Sequence, residues 1–481
     1  MAFLIGGANT LSADYDIENS LRVNGDNHHL SMVFDSAASN RKTWTFSCWV
    51  KLGNAAQMAT AYASNKYILC STDAATSTTS IGYGYTAGDF HIQDGRSGTY
   101  IYTTSKFRDP SAWYHLVVRY DSTQGTASDR IFIYVNNVSQ TLAYSNTGDP
   151  EVDQDTAVDL FLAGDDVDAD SADSGNYVHN VNSYYNSGYS DANFLDGYLA
   201  EMYLINAQSL APTAFGKSDG DSGIWKPINY TGSFNSHSFK LEFKQTGTSA
   251  DASGIGADTS GQDNHFKVGA NSNTAAIDQC TDSPTNNFAT WNPLDLDLSS
   301  TPTLSEGNVK LYQPGSGGSS NCNFGVTAGK WYVEAFIPDV SNIWLGVAPQ
   351  NLGNGVNHFS ANYTIGLYGI AGTVYQNALD MDNHNIYFGL NGNWSDGIGG
   401  GFDQSDFGNA AAFSFNDGGG FYVFTEVNGG GVTDHTVHMN FGNPSFTISS
   451  SNADANGYGN FEFAVPSNYY ALCTKNLAEY G

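Results

Sequence analysis

The sequence predicts an all-β protein built as two antiparallel β-sandwiches of jelly-roll type joined by an irregular connector. Three observations carry this prediction. Glycine is abundant, at 53 of 481 residues, and aromatic residues reach 14% while charged residues are only 14%. Glycine supplies the positive φ of tight turns, and aromatic side chains fill pleated surfaces. Many short segments alternate apolar and polar residues with period two, as half-buried strands do. No long window carries helical apolar spacing or heptads, and the shortage of Lys, Arg and Glu removes the usual surface of a helix. At this length the chain exceeds a single core and implies several domains.

The first 217 residues hold the first set of strands. In "TWTFSCWVKL" Trp44, Phe46, Cys48, Val50 and Leu52 share one face, and Thr43, Thr45, Ser47 and Lys51 share the other. Trp49 falls on that second face and breaks its polarity. The segments "KYILCST" (66–72), "DFHIQDG" (89–95), "WYHLVVRYD" (113–121), "RIFIYVNNV" (130–138), "VDLFLAG" (158–164) and "GYLAEMYLIN" (197–206) read as further strands. Asn136-Asn137 suits the left-handed conformations of a tight hairpin, and Asp196-Gly197 opens the last strand. "AQSLAPTAFGK" (207–217) predicts one short helical turn.

Residues 218–304 are polar and rich in Gly, Asn and Asp, and predict a connector with a few strands, "HSFKLEF" (237–243) the clearest. Residues 305–481 return to strands: "GKWYVEAFI" (329–337), "NIWLGVAP" (342–349), "YTIGLYGI" (363–370), "NIYFGLNGNWSDG" (385–397), "GFYVFTEVNG" (420–429), "HTVHMNFGNPSF" (435–446) and "YYALCTKNL" (469–477).

Taken together, "TWTFSCWVKLG", "WYHLVVRYD", "IFIYVNN" and "FLDGYLAEMYLIN" resemble the laminin-G/pentraxin-like branch of the concanavalin A-like sandwiches. "SGIWKPINYTGSFNSHSFKLEF", "DTSGQDNHF" and "DSPTNNFATWNPLD" resemble the connector of tailed-bacteriophage structural proteins. The run from "GKWYVEAFI" to "YYALCTKNL" is similar to SPRY-type domains. The resemblance spans nearly the whole chain in the same order. It implies a non-enzymatic bacteriophage virion protein, a tail fibre, head fibre or other surface appendage of adhesin character. It implies other virion proteins as partners, a homo-oligomer (a trimer by analogy with phage fibres), and a host-surface glycan or protein as ligand. It makes Trp49 architectural and turns the question to what covers it. Two alternatives stay open: a purely structural or decoration protein of capsid or tail, and a glycan hydrolase of the concanavalin A-like group. The Asn-Gly hairpin usual in the family is Asn136-Asn137 here, and an acidic, Tyr-rich insertion (165–193) precedes the last strand of the first block.

The formal net charge of −30 repels phosphate backbones and anionic headgroups, so the sequence predicts neither nucleic-acid binding nor membrane insertion. No apolar stretch approaches a bilayer span, and the opening "MAFLIGGANT" lacks the basic region of an export signal. The expectation is a virion protein assembled in the host cytoplasm and released by lysis. Five scattered cysteines, an odd number without CxxC spacing, argue against a complete disulfide framework.

Three segments are candidates for chemistry. Tyr177, Tyr184, Tyr185 and Tyr189, set among Asn and Ser, have the composition of a recognition surface for a glycan or a neighbouring subunit. Asp166, Asp168 and Asp170 of "GDDVDADSADSGN" alternate as hard calcium ligands do, although the EF-hand pattern fails at Ser171; no cofactor is required, and calcium is the one metal the segment suggests. Glu151, Asp153 and Asp155 would share a strand face, where Glu151 and Asp153 could approach the spacing of a retaining glycosidase. Against that reading, Gln154 is polar where a buried strand wants an apolar residue. His435 and His438, three apart in a strand, point to opposite faces and cannot chelate together.

Overall fold

The computed structural model of the chain describes residues 15–25, 28–53, 65–73, 78–94, 99–146, 151–164, 176–183, 193–269, 278–296, 302–315, 319–339, 343–350, 365–368, 370–397, 402–416, 419–428 and 434–481. The chain divides into two compact units, with the boundary between Thr285 and Asn286.

The first unit holds two eight-stranded antiparallel sheets. One runs, from edge to edge, through Val138–Ser139, Ile131–Val135, Trp113–Asp121, Thr43–Leu52, Asp196–Asn206, Ser20–Asn24 and Asp278–Cys280, with Phe239–Leu241 also pairing Asp196–Asn206. The other runs through Leu142–Tyr144, Tyr100–Thr103, Phe90–Asp94, Thr78–Tyr83, Lys66–Thr72, Val178–Val181, Leu30–Met32 and Lys267–Val268. Trp44, Phe46, Cys48, Val50 and Leu52 enter one core with Leu69, Ile81, Phe90, Ile92 and Ile101 of the second sheet. Period-two alternation thus sends one face of each strand into the space between the sheets. Asn136 and Asn137 take φ of 49° and 66°, the left-handed pair that matches a tight hairpin to strand twist.

The span 218–304 differs from the expected connector. Its first part supplies Phe239–Leu241 and Asp278–Cys280 to one sheet and Lys267–Val268 to the other, and its remainder, from Asn286, belongs to the second unit. It also covers the outer face of the first sheet. Trp49 is 4% exposed in a second, smaller core with Ile17, Trp113, Tyr198, Ala200 and Cys280, and Trp225 packs against it. A third core on that face joins Val117, Tyr203 and Ile205 to Phe215 and Tyr230. The polarity break at Trp49 therefore marks a sheet covered on both faces.

The second unit has a five-stranded sheet (Trp291–Leu296, Ser319–Cys322, Tyr422–Asn428, Ile343–Pro349, Ile365–Tyr368) and a ten-stranded one centred on Lys330–Ile337, Thr373–Asp380 and Asn385–Leu390. Trp291, Trp331, Val333, Val347, Tyr375, Tyr422 and Val437 lie in its main core. Pairing is antiparallel except where Tyr470–Ala471 joins Lys330–Ile337 in parallel.

Two segments depart from the strands predicted for them. In "VDLFLAG" Val158, Leu160 and Phe161 are buried, yet only Ala163 makes a ladder contact, an isolated bridge to Phe34. Leu160 and Phe161 are both buried, so the period-two alternation of the sequence is broken, and without a strand ladder the segment is a packed turn. In "YYALCTKNL" a two-residue strand gives way to a helix over Thr474–Tyr480. The short turn predicted in 207–217 is a 3-10 turn over Pro212–Ala214.

Candidate functional site

One end of the outer face of the second sheet in the first unit is aromatic, beside a rung made of Ser31, Asn180, Cys70, Ser80 and Gln93. Register places Tyr67, Gly82, His91 and Tyr102 side by side across four strands. Phe90 and Ile92 alternate inward, so His91 is turned out. Gly82 is the reason the imidazole can lie against the sheet: a Cβ there would sit 2.7 Å from His91 Nε2 and 2.4 Å from the Lys66 carbonyl oxygen. Tyr85 stacks on Tyr100 with centroids 4.4 Å apart and planes 17° apart, and it lies 5.1 Å from Tyr102. Edge contacts set His91 against Tyr100 at 5.4 Å, Tyr85 at 6.2 Å and Tyr67 at 6.3 Å. Tyr67 and Tyr100 bring their hydroxyls within 3.4 Å. Tyr100 and Tyr102 are half-buried, while His91 is 1% exposed.

Electrostatics fix the protonation states here. Burial drives the His91 imidazole below its ordinary range, against the opposing pull of Asp89, whose Oδ1 lies 3.8 Å from Nδ1. Neither ring nitrogen of His91 has a hydrogen-bond partner among the described residues. Burial alone would raise the Asp89 carboxyl, but contacts to His91, Thr86 and Lys106 outweigh it and hold the group at about 2. The Thr86 amide donates to Asp89 Oδ2 at 2.7 Å, the Thr86 hydroxyl donates to the same oxygen, and Lys106 Nζ approaches it at 2.9 Å. Burial raises the Tyr67 phenol. The face thus offers the half-exposed rings and hydroxyls of Tyr100 and Tyr102, while Tyr67, Tyr85 and the neutral His91 imidazole are buried beneath and beside them. Asp89, held as an anion near neutral pH, cannot serve as a general acid.

Of the sequence candidates, Tyr177 is half-buried and donates its backbone N–H to the Ala163 carbonyl at 3.1 Å, just before the strand Val178–Val181. Tyr184, Tyr185 and Tyr189, and the calcium candidates Asp166, Asp168 and Asp170, lie outside the described residues. Glu151, Asp153 and Asp155 do not share a strand face. They lie in a turn-rich segment that is not a strand, where Asp155 has φ of 63° and pairs with Lys42 at 3.0 Å, and Val152 is the buried residue. The geometry that would have set two carboxylates across a glycosidic bond is absent from this segment. Among the described residues no group of three or more His, Cys, Asp or Glu side chains is placed to hold a metal ion.

His435 and His438 face opposite ways, as strand periodicity requires. His435 is buried against Glu426 at 2.7 Å, and His438 is half-buried against Ser445 at 2.9 Å. Among the described residues six histidines are buried. His115 is one of them: Trp225 Nε1 donates to its Nδ1 at 2.9 Å, and its Nε2 lies 2.8 Å from the Ser47 hydroxyl. The indole donor makes Nδ1 the acceptor, so Nε2 carries the proton. Glu201 was not singled out by sequence. It sits in the register break between Ala200 and Tyr203 at φ 44° and accepts from the hydroxyls of Tyr15 and Tyr203. The signal for His91 was present in "DFHIQDG", where alternation sets it opposite Phe90 and Ile92. Its tyrosine neighbours come from other strands and needed the register.

No family model matches the chain, and no curated protein matches it. Among solved structures it is similar to a heptameric SAP-like pentraxin from Limulus polyphemus, with 14% identity over 41% of this chain and 80% of that one and a TM-score of 0.27. It is similar to the SPRY domain of human HERC1, with 14% identity over 31% of this chain and 96% of that one and a TM-score of 0.23. It is also similar to the TRIM65 PSpry domain, with 13% identity over 32% of this chain and 89% of that one and a TM-score of 0.24. The chain is an all-β protein of antiparallel sheets with pentraxin-like and SPRY domains among its structural neighbours.

Proposed function

We propose that this chain is a non-enzymatic protein of a bacteriophage virion, a surface appendage whose first unit binds host-surface glycan on the tyrosine face around His91. The observation that carries the binding reading is the stacked Tyr85–Tyr100 pair with Tyr102 beside it, Tyr100 and Tyr102 being half-exposed. Flat rings stack against the apolar faces of sugar rings, and phenol hydroxyls exchange hydrogen bonds with sugar hydroxyls. The virion assignment rests on the resemblance of the ordered segments to phage structural proteins, and an acidic surface suits a particle kept apart from nucleic acid.

The test is a glycan array probed with the purified full chain, followed by titration of any hit. Binding weakened at least tenfold by Tyr100→Ala, with the fold retained, supports the reading. No bound glycan, or binding indifferent to Tyr100→Ala, overturns it. If the same tyrosines instead become protected when the particle assembles, the chain is a structural or decoration protein and this face is a subunit contact. Release of free sugar from a glycan, abolished by Glu151→Gln, would identify a hydrolase.

A further inference from the structure

The outer face of the first sheet encloses a charged pair that the glycan reading does not use. Lys51 lies near the end of Thr43–Leu52, and Asp282 lies two residues past Asp278–Cys280, 231 positions along the chain. Lys51 Nζ stands 2.7 Å from Asp282 Oδ2, and the two side chains are 1% and 0% exposed. Other lysine–carboxylate pairs among the described residues reach water more readily, Lys330–Asp380 at 32% and 4% and Lys240–Glu201 at 10% and 3%. Trp113 Nε1 donates to Asp282 Oδ1 at 3.1 Å, and the Ser20 hydroxyl holds the Asp282 backbone carbonyl at 2.5 Å. The ammonium also lies 5.2 Å above the Tyr198 ring, and Trp49, Ile17 and Cys280 share the surrounding core.

We propose that Lys51 and Asp282 condense to an intramolecular isopeptide bond. The structure supplies three requirements. Nucleophile and electrophile are fixed in contact, so the encounter is prepaid. Water, the product, is expelled from an apolar chamber, and two buried charges that are costly to desolvate become one neutral amide. Trp113 Nε1–H stands on Oδ1, where negative charge develops as nitrogen adds to Cγ.

The step balances without an outside reagent. One ammonium proton passes to Oδ2 along the existing contact, and the freed lone pair of Nζ forms the bond to Cγ. A second proton moves from nitrogen to Oδ2, the Cγ–Oδ2 bond breaks, and water leaves. Oδ1 becomes the amide oxygen, still bonded to the Trp113 indole. The product ties the Thr43–Leu52 strand to the edge strand Asp278–Cys280, which a protein loaded at a particle surface would otherwise hold by short-strand pairing alone.

The experiment is intact-mass spectrometry of the purified, denatured full chain after incubation at neutral pH. The expected mass is below that of the sequence by one water. Trypsin should then release residues 43–66 joined to residues 268–310, with Lys51 uncleaved. Lys51→Arg and Asp282→Ala should each restore the full sequence mass. A wild-type chain at full sequence mass overturns the proposal, as does a water loss that persists in both variants. Because the mass is read on denatured protein, misfolding of either variant leaves the wild-type result decisive.

Discussion

Acid should weaken the first unit through His115, and the size of the effect follows from its surroundings. Burial pushes this imidazole from its ordinary 6.5 down to about 3. The folded state therefore stays unprotonated at His115 while the unfolded chain takes up a proton. The contribution is complete above pH 6.5 and is lost as pH falls towards 3. At pH 5 the linkage costs about 2 kcal/mol, from roughly 1.4 kcal/mol per unit of pKa difference reached. His179, held at about 4 chiefly by burial, adds a second proton of the same sign. His115→Gln keeps an oxygen able to accept from Trp225 Nε1 and removes one titrating group. Urea titrations between pH 6.5 and 4, read by amide exchange on Thr43–Leu52 and Trp113–Asp121, should show a slope smaller by about 1.4 kcal/mol per pH unit in the variant. Equal slopes for wild type and His115→Gln would refute the argument, since they would mean His115 already exchanges protons with solvent in the folded state.

Two further outcomes are expected. Trp49→Ala should cost the first unit about 3–5 kcal/mol by opening a cavity between the first sheet and the segment over it, measured by chemical denaturation. A loss below about 1 kcal/mol would mean that segment does not pack there. In the second unit Glu334 accepts from the amides of Glu462 (2.9 Å) and Phe463 (2.8 Å), the Tyr332 hydroxyl (2.9 Å) and Asn440 (3.2 Å). Burial raises its carboxyl to about 7 against those hydrogen bonds. Its contribution is thus fully present below the usual carboxylate range and is lost as pH rises through 7, the opposite sense to His115. Glu334→Ala should cost about 2–4 kcal/mol by leaving the half-buried amides of Glu462 and Phe463 and the buried Tyr332 hydroxyl without their acceptor, seen as lost exchange protection at residues 461–463. Unchanged protection there would count against the anchoring role.

Much of this fold was legible in local sequence because period-two alternation and turn chemistry act over a few residues. The core face of Thr43–Leu52 and the Asn136-Asn137 hairpin were both readable this way. The limits have physical causes as well. "VDLFLAG" has a strand's apolar composition, but a strand also needs a partner, and partners are non-local. The carboxylates of 151–155 alternate in sequence, yet the segment is a bend running into a turn at Gln154 and the left-handed Asp155, with no strand ladder to make alternation set their directions.

By itself the sequence determined the all-β class, the inward-facing residues of its strands and the anomaly at Trp49, because each follows from spacing along a pleated backbone. Tertiary structure alone decided what covers Trp49, that "connector" residues complete the first unit, and that Tyr67, Tyr85, Tyr100 and Tyr102 meet around His91. It also set Lys51 against Asp282. Each of these is a contact between strands distant in the chain, and strand register, which no local pattern encodes, settles which side chains meet.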